Sequence, residues 1–186
     1  MALSGIYPVT EVQAQLDSTY LAIDGTDRSF PGGKLGDTIK DNRGGEWMLV
    51  KAGEALTAYS LCHVTNASLE AGTYLVEMTE AADLATPSGP KVLGLVLNTI
   101  VVATNPYFWL WMGPGGGYGS GIKVRAENTT KGNLLYPLAG TAGAVDDANV
   151  DESVISGLFT LATTTTITAV EVYASTKITC NVGEPD

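Results

Sequence analysis

At 186 residues the chain is long enough for one domain, burying roughly two-thirds of its unfolded surface without staples. Hydrophobic residues make up 45% and charged residues 16%, which excludes a disordered polyelectrolyte. With 20 acidic against 10 basic residues the net charge is −10, so binding of nucleic acid through a basic face is not expected. The 22 glycines and plentiful threonine favour turns and strands over helices.

Residues 1–45 differ from the rest. Met1-Ala-Leu-Ser-Gly-Ile-Tyr-Pro8 has neither the basic start nor the apolar core of a secretory signal. No apolar run reaches the ~20 residues that span a bilayer. The expectation is therefore synthesis in a cytoplasm and no membrane partner. Val12, Leu16 and Tyr20 fall on one face of a short helix over Thr10–Ala22. Runs such as Asp24-Gly-Thr-Asp27 and Asp41-Asn-Arg-Gly-Gly45 cannot build a core. Residues 1–45 thus read as a largely extended arm that orders against a partner, or as a long surface loop. Its apolar side chains Ile6, Tyr7, Val9, Leu16, Tyr20 and Phe30 are the candidate contacts with that partner or with another subunit. Each large side chain left in water forgoes roughly 1.5–3 kcal/mol of burial.

From Glu46 the pattern becomes that of short strands. Met48 and Val50 alternate with Trp47, Leu49 and Lys51; Tyr59–Asn66 reads as a strand, and Tyr74, Val76 and Met78 alternate with Glu77 and Thr79. Ala82–Pro90 is a loop. Two apolar blocks, Lys91–Ala103 and Tyr107–Met112, then read as two buried strands joined tightly through Thr104-Asn-Pro106. The glycine run Gly113–Gly121 reads as a hairpin connection with Tyr118 as a contact residue. Ile122, Val124 and Ala126 alternate with Lys123, Arg125 and Glu127, the clearest half-buried strand. Leu134–Leu138 carries Pro137 and is expected at a sheet edge. Ala139–Asp151 reads as a loop. Val154–Ala162, Thr163–Tyr173 and Ile178–Val182 resume β character. The fold expected is all-β, a β-sandwich or β-barrel-like domain over 46–186 with an extended N-terminal arm.

Little here suggests catalysis, and the chain is not expected to be an enzyme. His63 is the sole histidine, and on a strand it points away from Cys62, which disfavours a Cys-His pair; it reads as a half-exposed strand residue. One histidine with Cys62 and Cys180 does not supply a zinc site. The two cysteines read as buried free thiols. The acidic stretches Asp24–Asp27 and Asp146–Glu152 lack the spacing of a calcium loop. The glycine run lacks the Lys-Ser/Thr of a phosphate loop. No metal, cofactor or catalytic residue is assigned. Trp109 and Trp111 share a strand face with Tyr107 while Phe108, Leu110 and Met112 fill the other, as in a strand covered on both sides. Were that stripe exposed, Tyr107, Trp109, Trp111 and Tyr118 would suit a carbohydrate-binding module. A hydrolase built on a distant carboxylate pair is the other competing reading.

The segment Gly89–Gly119 has a distinctive order: a Pro/Gly lead-in, the Val92-Leu-Gly-Leu-Val96 strand, a small turn, Tyr107-Phe-Trp109, then glycines. Trp47–Leu56 lies upstream, and Ile122–Ala126 with Gly132 downstream. Over roughly residues 45–165 this order resembles the capsid decoration, or cement, proteins of tailed-bacteriophage heads. The family's aromatic strand usually reads Tyr-Gly-Trp where this chain has Tyr107-Phe-Trp109. The resemblance implies a β-rich homotrimer on the exterior of a virion, bridging major capsid protein subunits and needing no active site. A tail or neck protein is the near alternative.

Overall fold

The computed structural model describes residues 6–7, 19–21, 27–29, 34–84, 92–98, 102–103, 107–148 and 153–182. Within them the chain is predominantly β and builds two sheets, each of which returns on itself.

The first sheet takes most of the N-terminal half. Its strands are β1 (Ile6–Tyr7), β2 (Thr19–Leu21), β3 (Asp27–Ser29), β4 (Thr38–Asp41), β5 (Glu46–Ala52), β6 (Leu61–Val64), β7 (Leu75–Met78), β8 (Leu93–Val96) and β9 (Tyr107–Gly113). They lie in the order β1-β4-β5-β7-β6-β8-β9-β2-β3, and β5 also pairs antiparallel with β9 from Trp47 opposite Trp111 to Lys51 opposite Tyr107. That extra pairing closes the ring β5-β7-β6-β8-β9. All five strands contribute to one apolar cluster, which therefore fills the ring: Val50, Val76, Cys62 and Val64, Val96, then Phe108, Leu110 and Met112.

The second sheet holds β10 (Gly115–Gly116), β11 (Lys123–Ala126), β12 (Leu134–Pro137), β13 (Val145–Asp146), β14 (Ser153–Thr160) and β15 (Thr168–Val182). Its order is β10-β15-β11-β13-β12-β14, and β14 pairs again with β15, closing a second five-strand ring. Val124, Leu135, Val145, Ile155, Leu158 and Val172 pack in one cluster with Trp47, Leu49, Leu93, Leu95, Trp109 and Trp111 from the outer face of the first ring. This explains the unbroken apolar runs. Strands β5 and β9 have a barrel interior on one face and the second ring on the other, so neither face is left for polar residues.

Several expectations need correction. Thr38–Asp41, assigned by sequence to the arm, is a strand paired with β5. Thr19–Leu21, the end of the expected helix, is also a strand; the rest of that helix lies outside the described residues. The helices that do occur among the described residues are α1 (Asn66–Ala71) and α2 (Ala81–Leu84). Helix α1 is too short to show an apolar period. Its signals are local: the Thr65 hydroxyl accepts from Ser68 N–H, and Gly72 ends the helix at φ 70°. Strand β12 is not at a sheet edge but lies between β13 and β14. Strand β12 pairs with β14 through Leu134 and Leu135 and with β13 through Tyr136 and Pro137, so the proline falls where only one neighbour remains. The glycine run is not a hairpin: it carries the chain from β9 in the first sheet to β11 in the second. The stretch Ala139–Asp151 contains β13, which joins β11 to β12, and Thr168–Val182 is one 15-residue strand rather than two.

Candidate functional site

The tryptophan stripe is the first candidate, and burial removes it. Trp109 and Trp111 are 3% and 1% exposed, held between the two rings. Tyr107 is half-buried, with the Lys51 ammonium 5.9 Å from its ring centre. No sugar can stack on the tryptophans, so the four-residue carbohydrate platform is not assembled.

His63 and Cys62 do point to opposite faces. Cys62 lies inside the first ring as a free thiol, and burial, helped by Glu54, pushes its ionisation well upward. Alkylation mapped by mass spectrometry is expected to leave Cys62 unmodified in the native protein and to label it after denaturation. Of Cys180 only the backbone is described, opposite Ile155. His63 is buried rather than half-exposed. Its Nδ1 lies 3.3 Å from Thr79 Oγ1 and 3.9 Å from Asp83 Oδ2. A nucleophile and an orienting carboxylate must occupy opposite ring nitrogens, whereas here both partners approach one. The Asp83 carboxylate also accepts the Glu80 N–H at 2.8 Å. The cluster ties α2 to β6 and β7. Among the described residues no group of three or more histidine, cysteine or acidic side chains is placed to hold a metal ion.

Asp146 is the buried carboxyl with chemical interest. It sits on β13 and its Oδ1 finds no hydrogen-bond donor; burial raises its pKa against the opposing pull of the Ala148 N–H, with Asp147 and Glu127 adding repulsion. Asp147 itself is held by Thr130 N–H at 2.7 Å and Asn133 Nδ2 at 2.9 Å. A raised folded-state pKa means that the folded protein binds the proton more tightly than the unfolded chain. Stability should therefore rise as pH falls through the folded value towards the ordinary 3.8, and change no further from this group below it. Asp146→Asn is expected to melt higher than wild type at pH 7 and to lose this part of the pH dependence. Melting curves at several pH values check both.

The glycine run provides the remaining candidate. Gly113–Gly121 passes over β15, where Gly115 and Gly116 pair with Ala174 and Tyr173. Side chains would obstruct that approach: a Cβ on Gly116 would overlap the Val172 carbonyl oxygen, and its φ of 92° suits glycine. The loop is pinned. Gly117 N–H donates to Val172 O at 3.0 Å, and Gly119 N–H to both Glu171 carboxylate oxygens at 2.9 and 3.1 Å. The Tyr118 hydroxyl donates to Leu161 O at 3.0 Å. The Tyr118 ring itself is 66% exposed, with the Lys131 ammonium 5.3 Å from its centre; Tyr118 in turn raises the lysine's pKa.

No protein-family model, curated protein or solved structure matches this chain. The site must therefore be read from its own geometry. Of the sequence candidates, Tyr118 is placed on an exposed, fixed loop. The backbones of Ile6 and Tyr7 lie in β1 and that of Tyr20 in β2, while Val9, Leu16 and Phe30 lie outside the described residues. Lys131 and Glu171, which hold the Tyr118 loop, went unremarked in the sequence. They stand 13 and 53 positions from Tyr118, and nothing local links them.

Proposed function

We propose that this chain is a structural virion protein that decorates a phage head by bridging major capsid subunits. The observation that carries the reading is the Tyr118 loop: an exposed aromatic side chain, locked by hydrogen bonds onto a body whose other aromatic strand is consumed in packing. A fixed aromatic anchor is what a docking surface needs, because little conformational freedom is lost on binding. The resemblance supplies the shell as partner and the trimer as the assembled form. Binding the assembled shell but not free subunits would stabilise the shell by mass action.

The test is sedimentation with heads assembled from the major capsid protein encoded in the same genome. The full chain is expected to pellet with heads, to ignore unassembled capsid protein, and to run as a trimer in analytical ultracentrifugation. Removing residues 1–30, which carry Ile6, Tyr7, Val9, Leu16, Tyr20 and Phe30, is expected to weaken the binding. A full chain that never pellets with heads would end this reading.

A further inference from the structure

We infer that the outer face of β15 around Tyr118 takes an acidic protein segment, with carboxylates set opposite Lys123 and Lys131 and an apolar side chain seated between Tyr118 and Tyr173. The inference rests on the docking reading above and names the chemistry of the surface being met.

Two exposed aromatic side chains meet at this place. The large hydrophobic side chains left open among the described residues are Tyr118 at 66%, Tyr173 at 44% and Ile167 at 40%. The two tyrosines are brought together by the pairing of β10 with β15. Tyr173 lies on β15 opposite Gly116, two residues before Tyr118. Ile167 precedes β15, six residues or roughly 20 Å along the strand from Tyr173, and stands apart from the pair. Glu171 projects from the same face of β15 as Tyr173 and holds Gly119. Glycines 115–117 carry no side chains to shield the two rings. Exposed aromatic side chains gathered beside bare backbone mark an interaction surface.

The charges on this face identify the partner. Lys123 stands opposite Glu171 across the β11–β15 ladder, but both oxygens of Glu171 are engaged by Gly119 N–H. Lys123 instead lies over the Tyr59 ring at 5.9 Å, and Lys131 over Tyr118. Neither lysine forms an ion pair among the described residues. Glu171 keeps its charge but is turned to the Gly119 N–H, while two ammonium groups lie over aromatic rings without an ion partner among the described residues. On a chain of net charge −10, this is a place where an acidic segment is attracted while much of the remaining surface repels it. That contrast fixes orientation as well as affinity.

The experiment compares the full-length wild type with Tyr118→Ala, Tyr118→Phe and Lys131→Glu in binding to assembled heads. Both side chains are exposed, so unchanged circular dichroism and melting temperature are expected. Tyr118→Ala should lose about 30-fold or more in affinity, as truncation of an aromatic anchor does. Tyr118→Phe keeps the ring but loses the hydroxyl bond to Leu161 O, and should bind between Tyr118→Ala and wild type. Lys131→Glu should lose about tenfold and show a shallower salt dependence than wild type. If wild type binds heads and Tyr118→Ala and Lys131→Glu bind as tightly, the face is not the contact and only this inference falls. If Tyr118→Phe falls as far as Tyr118→Ala, the ring is not the contact and the inference falls. If wild type does not bind heads, this inference and the docking reading fall together.

Discussion

Trp47→Ala is expected to lower the unfolding free energy by about 3–5 kcal/mol, the range for deleting a large buried aromatic side chain. Trp47 is fully buried where the outer face of the first ring meets the second. Its loss leaves a cavity between the two, and its indole is also part of a polar lock. Trp47 Nε1 donates to Asp41 Oδ2 at 2.8 Å, while Asp41 Oδ1 accepts from Arg43 N–H at 2.7 Å and Gly45 N–H at 2.9 Å. Asp41 is itself buried, so it closes the β4–β5 turn and caps the indole together. Asp41→Ala should cost about 1–3 kcal/mol for the donors it leaves unpaired. Equilibrium urea unfolding measures both, and a Trp47→Ala protein within 1 kcal/mol of wild type, roughly the value for an ordinary substitution, would contradict this account of the interface.

Gly94→Val is expected to be nearly as damaging, at about 3 kcal/mol or more, through overpacking. Gly94 sits in β8 opposite Cys62. A Cβ there would lie 2.6 Å from the Trp111 carbonyl oxygen and 2.6 Å from Leu110 Cγ. The carbonyl belongs to β9, which is bonded to β5 as well as β8, so it cannot retreat without opening the first ring. Gly94→Ala should already be destabilising, with valine worse. Melting temperatures that fall in the order glycine, alanine, valine would fit; a neutral alanine variant would show that β9 yields.

How far the sequence could be read depended on whether the signal was local. Alternation over Ile122–Glu127 placed β11 correctly, with Val124 and Ala126 inward and Lys123 and Arg125 outward. The two-sided apolar character of Tyr107–Met112 predicted a strand covered on both faces, and the tryptophans are so covered. Tyr118, read as a contact residue within the glycine run, has its ring 66% exposed on that loop. The misses came where a neighbour distant in sequence decided the structure. Val145–Asp146 looks like an acidic loop and becomes a strand because β11 and β12 flank it. Thr38–Asp41 has no apolar run and becomes a strand because the edge of β5 away from β9 is left to it over Glu46–Met48, ahead of the pairing with β7.

The sequence by itself determined the strand-rich class, the burial of the aromatic strand and the positions of most turns, because period-two patterning and Gly/Pro chemistry are written in adjacent residues. The tertiary structure alone decided the two ring closures, β5 with β9 and β14 with β15, since these depend on register between segments about 60 and 20 residues apart. It alone turned the glycine run into a crossover between sheets, and it alone brought Lys131, Glu171 and Tyr173 around Tyr118. Side chains on different strands become neighbours only once the ladders are formed, and no spacing along the chain records that.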